Sequence, residues 1–139
     1  MKISTKGRYG LRAIIDLGLH PEEAPISMGE IARRENISKE YLEQIFSSLR
    51  KAGLVRSVRG QKGGYILSVD LEEVTAGDVL RIMEGSLEPV NCADEKFDCE
   101  QEDECVTKEV WQNLSREIHN ILDSYTLSDL FERGEELKL

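Results

Sequence analysis

Apolar residues recur at helical spacing along most of this chain. In STKGRYGLRAIIDLGLHPEE, residues 4–23, Tyr9, Leu11, Ile14, Ile15, Leu17 and Leu19 share one face of a helix. Ser4 or Thr5 can cap its start and Pro21 marks its end. Gly7, Gly10 and Gly18 weaken the helix locally and read as close-packing sites. ISMGEIARRENIS predicts a short second helix, with Ser27 and Glu30 spaced as a capping box. Asn36 tolerates the left-handed backbone of a sharp turn. Ser38 then caps a third helix with Tyr41, Leu42, Ile45, Phe46 and Leu49 facing inward, and Gly53 stops it. Two short strands follow, Leu54 to Arg59 and Tyr65 to Val69, joined by a loop from Gly60 to Gly64. VTAGDVLRIMEG predicts a fourth helix, capped by the pair Thr75 and Asp78. Residues 90–106 show no hydrophobic period and read as a long loop. Helical spacing resumes after Thr107, a candidate cap. Val110, Trp111, Leu114, Ile118, Ile121, Leu122 and Tyr125 form one apolar stripe, and Thr126 with Asp129 starts a short last helix.

Two helices joined by a tight turn, followed by a glycine-rich basic hairpin, form the pattern of a winged helix-turn-helix. The fold class is therefore mainly α, with a small β-hairpin wing and a long C-terminal dimerisation helix. Three regions are expected: a winged-helix DNA-binding domain at 1–89, a cysteine-rich loop at 90–106, and the dimerisation helix and tail at 107–139. The outer face of the third helix offers Ser38, Lys39, Glu43, Gln44, Ser47 and Lys51 to base edges or phosphates. The hairpin adds Arg56, Arg59 and Lys62, and arginine suits a narrow minor groove. Its glycines would let the backbone come close to a duplex. The stripe after Thr107 has no obvious partner in the front half, which has a core of its own. A second copy of the chain, packed across a two-fold axis, would supply one.

Charge sharpens this picture. The 139-residue chain carries a net charge of −9, yet residues 1–66 sum to +5 and residues 67–139 to −14. A basic front half can face phosphates while an acidic rear half points away. No apolar run is long enough for a membrane span, and the N-terminus lacks the apolar core of a signal peptide; the expectation is a cytoplasmic protein. No nucleophile–base–orienter set is visible, and RGQKGG lacks the full phosphate-loop pattern, so an enzyme is not expected.

The three cysteines, Cys92, Cys99 and Cys105, all lie in NCADEKFDCEQEDECVTKE, residues 91–109. An odd count in a reducing compartment suggests thiols or metal ligands rather than a disulfide framework. Their spacing, C-x6-C and C-x5-C, is wider than the pairs that hold structural zinc. It suits an iron–sulfur cluster; a thiol redox switch, zinc or incidental cysteines are the alternatives. Seven acids lie between the first and last thiol. They should raise the thiol pKa values and leave the metal-free loop self-repelling.

MKISTKGRYGLRAI, YLEQIFSSLRKAGLVRSVRGQKGGYIL and VTAGDVLRIMEG resemble the IscR-type (Rrf) family of bacterial winged-helix transcription regulators. The resemblance runs from Met1 to about Pro89 and more loosely through the dimerisation helix. It implies a homodimer on a double-stranded DNA operator, with the helix from Lys39 in the major groove and Arg59 in the minor groove. Some members carry three cysteines in this loop and bind a cluster; others lack them and sense cysteine supply through a partner enzyme. Cys92, Cys99 and Cys105 place the chain with the cluster-sensing branch. That branch implies a regulator, expected as a repressor, of iron–sulfur cluster biogenesis genes. Its cofactor would be [2Fe–2S] in preference to [4Fe–4S], and its partners would include iron–sulfur assembly proteins. Two features depart from the family pattern: the first cysteine gap is one residue longer, and Lys108 stands where a histidine ligand is expected. The fourth ligand therefore does not carry over. His119, Glu104 and Glu109 are candidates, and so is Glu43 on the reading helix, from the other subunit. Ligated to iron, Glu43 could not accept from a cytosine amino group. The rival readings are a cluster-free thiol-redox or cysteine-supply regulator and, in another class, an iron–sulfur carrier or electron-transfer module.

Overall fold

The computed structural model describes residues 2–94, 100 and 104–137. Six helices and one hairpin occur in the order α1 (Thr5–Leu19), α2 (Met28–Glu35), α3 (Lys39–Lys51), β1 (Val55–Val58), β2 (Gly64–Leu67), α4 (Ala76–Glu84), α5 (Lys108–Asp123) and α6 (Leu127–Leu137). The caps explain most of the helix starts. Ser4 Oγ accepts from Gly7 N at 3.1 Å and Ser38 Oγ from Tyr41 N at 3.2 Å. Thr75 and Asp78 exchange both bonds of a capping box, and so do Thr126 and Asp129. Each satisfies backbone donors that the first turn leaves unpaired.

Two expected caps differ. Ser27 caps Glu30 N at 3.2 Å, but the Glu30 carboxylate turns to Arg33 and Arg34 rather than back to Ser27. A charged partner outbids a neutral amide for the carboxylate. Thr107 makes no side-chain cap; its hydroxyl lies 3.4 Å from Cys105 Sγ instead. Asn36 does take the left-handed conformation, φ 54° and ψ 48°, between α2 and α3.

Phe46, Ile14, Ile31, Leu42, Ile45 and Leu49 are fully buried where α1, α2 and α3 meet. Glycines bring the elements together, as their positions suggested. A Cβ on Gly10 would lie 2.7 Å from Met83 Sδ of α4, and one on Gly18 would lie 2.1 Å from the Phe131 ring of α6. Leu127 and Phe131 belong to this same core, so the last helix packs on the first.

One polar cluster sits inside the fold. Asp16, on the inward side of α1, is 3% exposed. Arg34 of α2 grips both of its oxygens, Nε at 3.0 Å and Nη2 at 2.7 Å, and holds Glu23 at 2.5 Å with Nη1. Beside it Arg12 donates to Glu35 at 3.2 Å. Burial, helped by the neighbouring Asp16 carboxylate, still pushes the Glu35 carboxyl above the usual range.

Candidate nucleic-acid interface and thiol loop

The strands pair antiparallel in the register Val55 with Leu67 and Val58 with Gly64, shorter than the sequence suggested. The wing is fixed to the body by Ile26, which exchanges backbone bonds with Tyr65 at 3.0 and 2.8 Å. Its glycines serve the hairpin itself. Gly60 turns with φ 115°, and a Cβ on Gly64 would meet the Ile26 carbonyl oxygen at 2.2 Å. Arg56, Arg59 and Lys62 are all exposed on the wing.

On α3, Lys39, Glu43, Gln44 and Lys51 are exposed and Ser47 is half-buried, while Leu42, Ile45, Phe46 and Leu49 face the core. Ser38 is exposed too, but its oxygen is committed to the cap. α3 and the wing thus offer the expected side chains to solvent. The distribution of charge pairing was not visible in the sequence. Of the lysines and arginines between residues 2 and 62, only Arg12, Arg33 and Arg34 take part in ion pairs among the described residues. Every other lysine and arginine of that stretch lacks an acidic partner there. In the rear half Arg81 and Arg133 hold Asp123 and Glu136, each at 2.8–2.9 Å. Unneutralised positive charge therefore gathers on the front half, the arrangement a phosphate backbone requires. Lys6 on α1 belongs to this set. It was not among the expected contacts, and only its bond to α3 reveals it.

α5 turns a mixed face inward: Ser115 is buried, and Trp111, Ile118, His119 and Leu122 are half-buried. Ser115 donates to Glu88, and His119 Nε2 lies 3.0 Å from Glu88 Oε1. Arg81 of α4 reaches His119 Nδ1 and Asp123 Oδ2, both at 2.8 Å. An arginine can only donate, so Nδ1 accepts and Nε2–H donates to Glu88. The hydrogen bond from Arg81 holds the Asp123 carboxyl below its usual range. The outward side of α5 is apolar: Val110, Leu114 and Ile121, with Tyr125 just past its end, are between 42% and 59% exposed.

The loop that carries the thiols leaves α4 and returns to α5. Cys92 sits in a short 3-10 turn, Asn91–Ala93, and Cys105 lies just before α5. Both are exposed and free of disulfides; Cys99 lies outside the described residues. The acids do not dominate at Cys105. The Thr107 hydroxyl, then nearby backbone N–H groups and Lys108, lower its thiol pKa. That reverses the expectation for this thiol, because direct hydrogen bonds to the sulfur favour its charged form. Both ring nitrogens of His119 are engaged, so it offers no free ligand atom. Among the described residues no three histidine, cysteine or acidic side chains come together as a metal site. Glu43 is thus not gathered with Cys92 and Cys105 within one chain. No helix among the described residues is long and apolar enough to cross a membrane.

A model of the Rrf2 family, described as an iron-dependent transcriptional regulator, matches residues 3–133. The HTH-type transcriptional regulator IscR of Vibrio campbellii is 40% identical over 139 residues, covering 100% of this chain and 82% of its own. The structure of T. potens IscR superposes with a TM-score of 0.79 at 45% identity, over 100% of this chain and 92% of the other. CymR, the global cysteine regulator of B. subtilis, gives 0.79 at 43% identity, over 96% and 98%.

Proposed function

The chain belongs to the Rrf2 family of transcriptional regulators, and we propose that it binds its operator as a homodimer under the control of iron–sulfur status at Cys92, Cys99 and Cys105. The observation that carries the sensing half is the state of the described thiols. Cys92 and Cys105 stand exposed, free of disulfides, at the two ends of one loop, and hydrogen bonds to its sulfur lower the Cys105 thiol pKa. Thiolates are the donors that hold iron–sulfur clusters, so the donor set fits the group. A [2Fe–2S] or [4Fe–4S] cluster there would supply a centre that responds to redox conditions and iron supply.

The chain's own residues do the rest. Thr107 steadies the Cys105 sulfur. Glu88, at the root of the loop, is tied to α5 through Ser115 and His119, and Arg81 ties that helix to α4. Changes in the loop thus act on the contact between the reading head and the dimerisation helix. A ligand of the loop shifts operator binding only as far as it prefers one arrangement of that contact. The outward apolar face of α5 supports the homodimer, because two such faces cover each other across a two-fold axis. Glu43 of the partner subunit is the proposed fourth ligand, which would set cluster holding against base reading at one side chain.

The test is anaerobic reconstitution of wild type beside a triple Cys→Ala variant, read by visible absorption and by iron and sulfide content. Cysteine-dependent bands with equimolar iron and sulfide are expected. Glu43→Ala should lower cluster stability; unchanged absorption and lifetime would remove Glu43 as a ligand. Likeness to CymR favours one second reading, a cluster-free regulator of cysteine supply. A colourless wild type would select it.

A further inference from the structure

We propose that Lys6 contacts a DNA phosphate, so that α1 supplies a third point of attachment beside α3 and the wing. The inference rests on the DNA-binding reading above and extends it to an element outside that reading. Lys6 lies partly buried in the first turn of α1, in no ion pair among the described residues. Its Nζ donates to Ser48 Oγ at 3.2 Å, and Ser48 gives its own proton to the Gln44 carbonyl at 3.3 Å. The bond directions follow from this. One ammonium N–H is spent on α3 and two remain.

A partly buried ammonium is costly without a partner that satisfies it. The chain has 27 acids, and Arg12, Arg33, Arg34, Arg81 and Arg133 all hold carboxylates. Lys6 is kept from every described acid and moored beside Gln44, so it is placed for an anion from outside. The anion that meets this face of α3 is the duplex backbone. The mooring on Ser48 restricts a flexible side chain before binding, which lowers the cost of ordering it. Such a contact fixes position without reading sequence, so no operator is needed to detect it. The plain alternative is a tie between α1 and α3 with no ligand.

Full-length wild type, Lys6→Met and Lys6→Arg would be titrated with a labelled mixed-sequence DNA duplex over a salt series, with thermal midpoints alongside. Lys6→Met keeps the alkyl stem and removes the charge. Its plot of log affinity against log salt should be shallower by about 0.9 per subunit, with several-fold weaker binding at low salt. Lys6→Arg should keep the wild-type slope. A wild-type slope in Lys6→Met would overturn the inference, and a lowered midpoint with that slope would identify a purely structural tie. Absence of salt-dependent duplex binding in wild type would instead remove the DNA-binding reading and this inference with it, before any variant is compared.

Discussion

Asp16 is the residue whose role was least legible in the sequence. It sits among Ile14, Ile15 and Leu17 on a helix read as apolar on its inward side, where an acid looks like a surface intruder. Its partner, Arg34, comes from another helix, so the pair exists only in three dimensions. Removing one member leaves the other charged and buried. Asp16→Ala should therefore destabilise the fold by about 3–5 kcal/mol, read as a lower midpoint in urea or thermal unfolding. A change under about 1 kcal/mol would mean that water or Glu23 satisfies Arg34 unaided. Caps lie at the other extreme. Ser4, Ser38, Thr75 and Thr126 were readable because a cap and its donor are two or three residues apart. Ser27 and Thr107 were half-read and misread for the same reason, since their competitors, Arg33 with Arg34 and Cys105, are not part of the capping motif.

At the scale of elements, periodicity placed the helices, and the glycine-rich loop placed the wing. It could not say what the glycines are for. Gly64 is held against the Ile26 carbonyl, where the wing joins the body. Gly64→Ala should loosen that junction, weaken DNA binding and cost about 1–3 kcal/mol of stability. Amide exchange at Tyr65 would report it directly, because its N–H bonds to Ile26; undiminished protection would count against the assignment. α5 shows a second limit of pattern reading. Its apolar stripe was plain, but a stripe does not say on which side its own domain lies. The answer came from Ser115, His119 and Asp123, whose hydrogen bonds to Glu88, Arg81 and Thr75 tie one side of α5 to the body and leave Val110, Leu114 and Ile121 outward.

For the whole molecule, the outward apolar residues of α5 make assembly testable. Ile121→Lys places a charge in the outward face, where Ile121 is 59% exposed in the single chain. It should leave the monomer folded, since the side chain is no part of its core, and shift sedimentation from dimer to monomer. Operator affinity should fall with it, because half-sites one turn apart need two linked reading heads. A dimer that persists would place the interface elsewhere. The exposed polar side of α3 was largely legible, because exposed positions on a helix follow from the buried ones. The place of the thiol loop was legible but not its shape: cysteine spacing suggests a donor set, and it says nothing of which other side chains come near.

The packing of Phe131 over Gly18 also bears on the order in which the protein is made. The reading head is encoded first, yet its core includes Leu127 and Phe131 near the other end. A nascent chain halted after α5 would present the groove on α1 open, with its apolar floor facing solvent. The core of the head is complete only when α6 is in place. A chain cut before Leu127 should therefore bind a hydrophobic dye at that groove and bind DNA more weakly than the chain that carries α6.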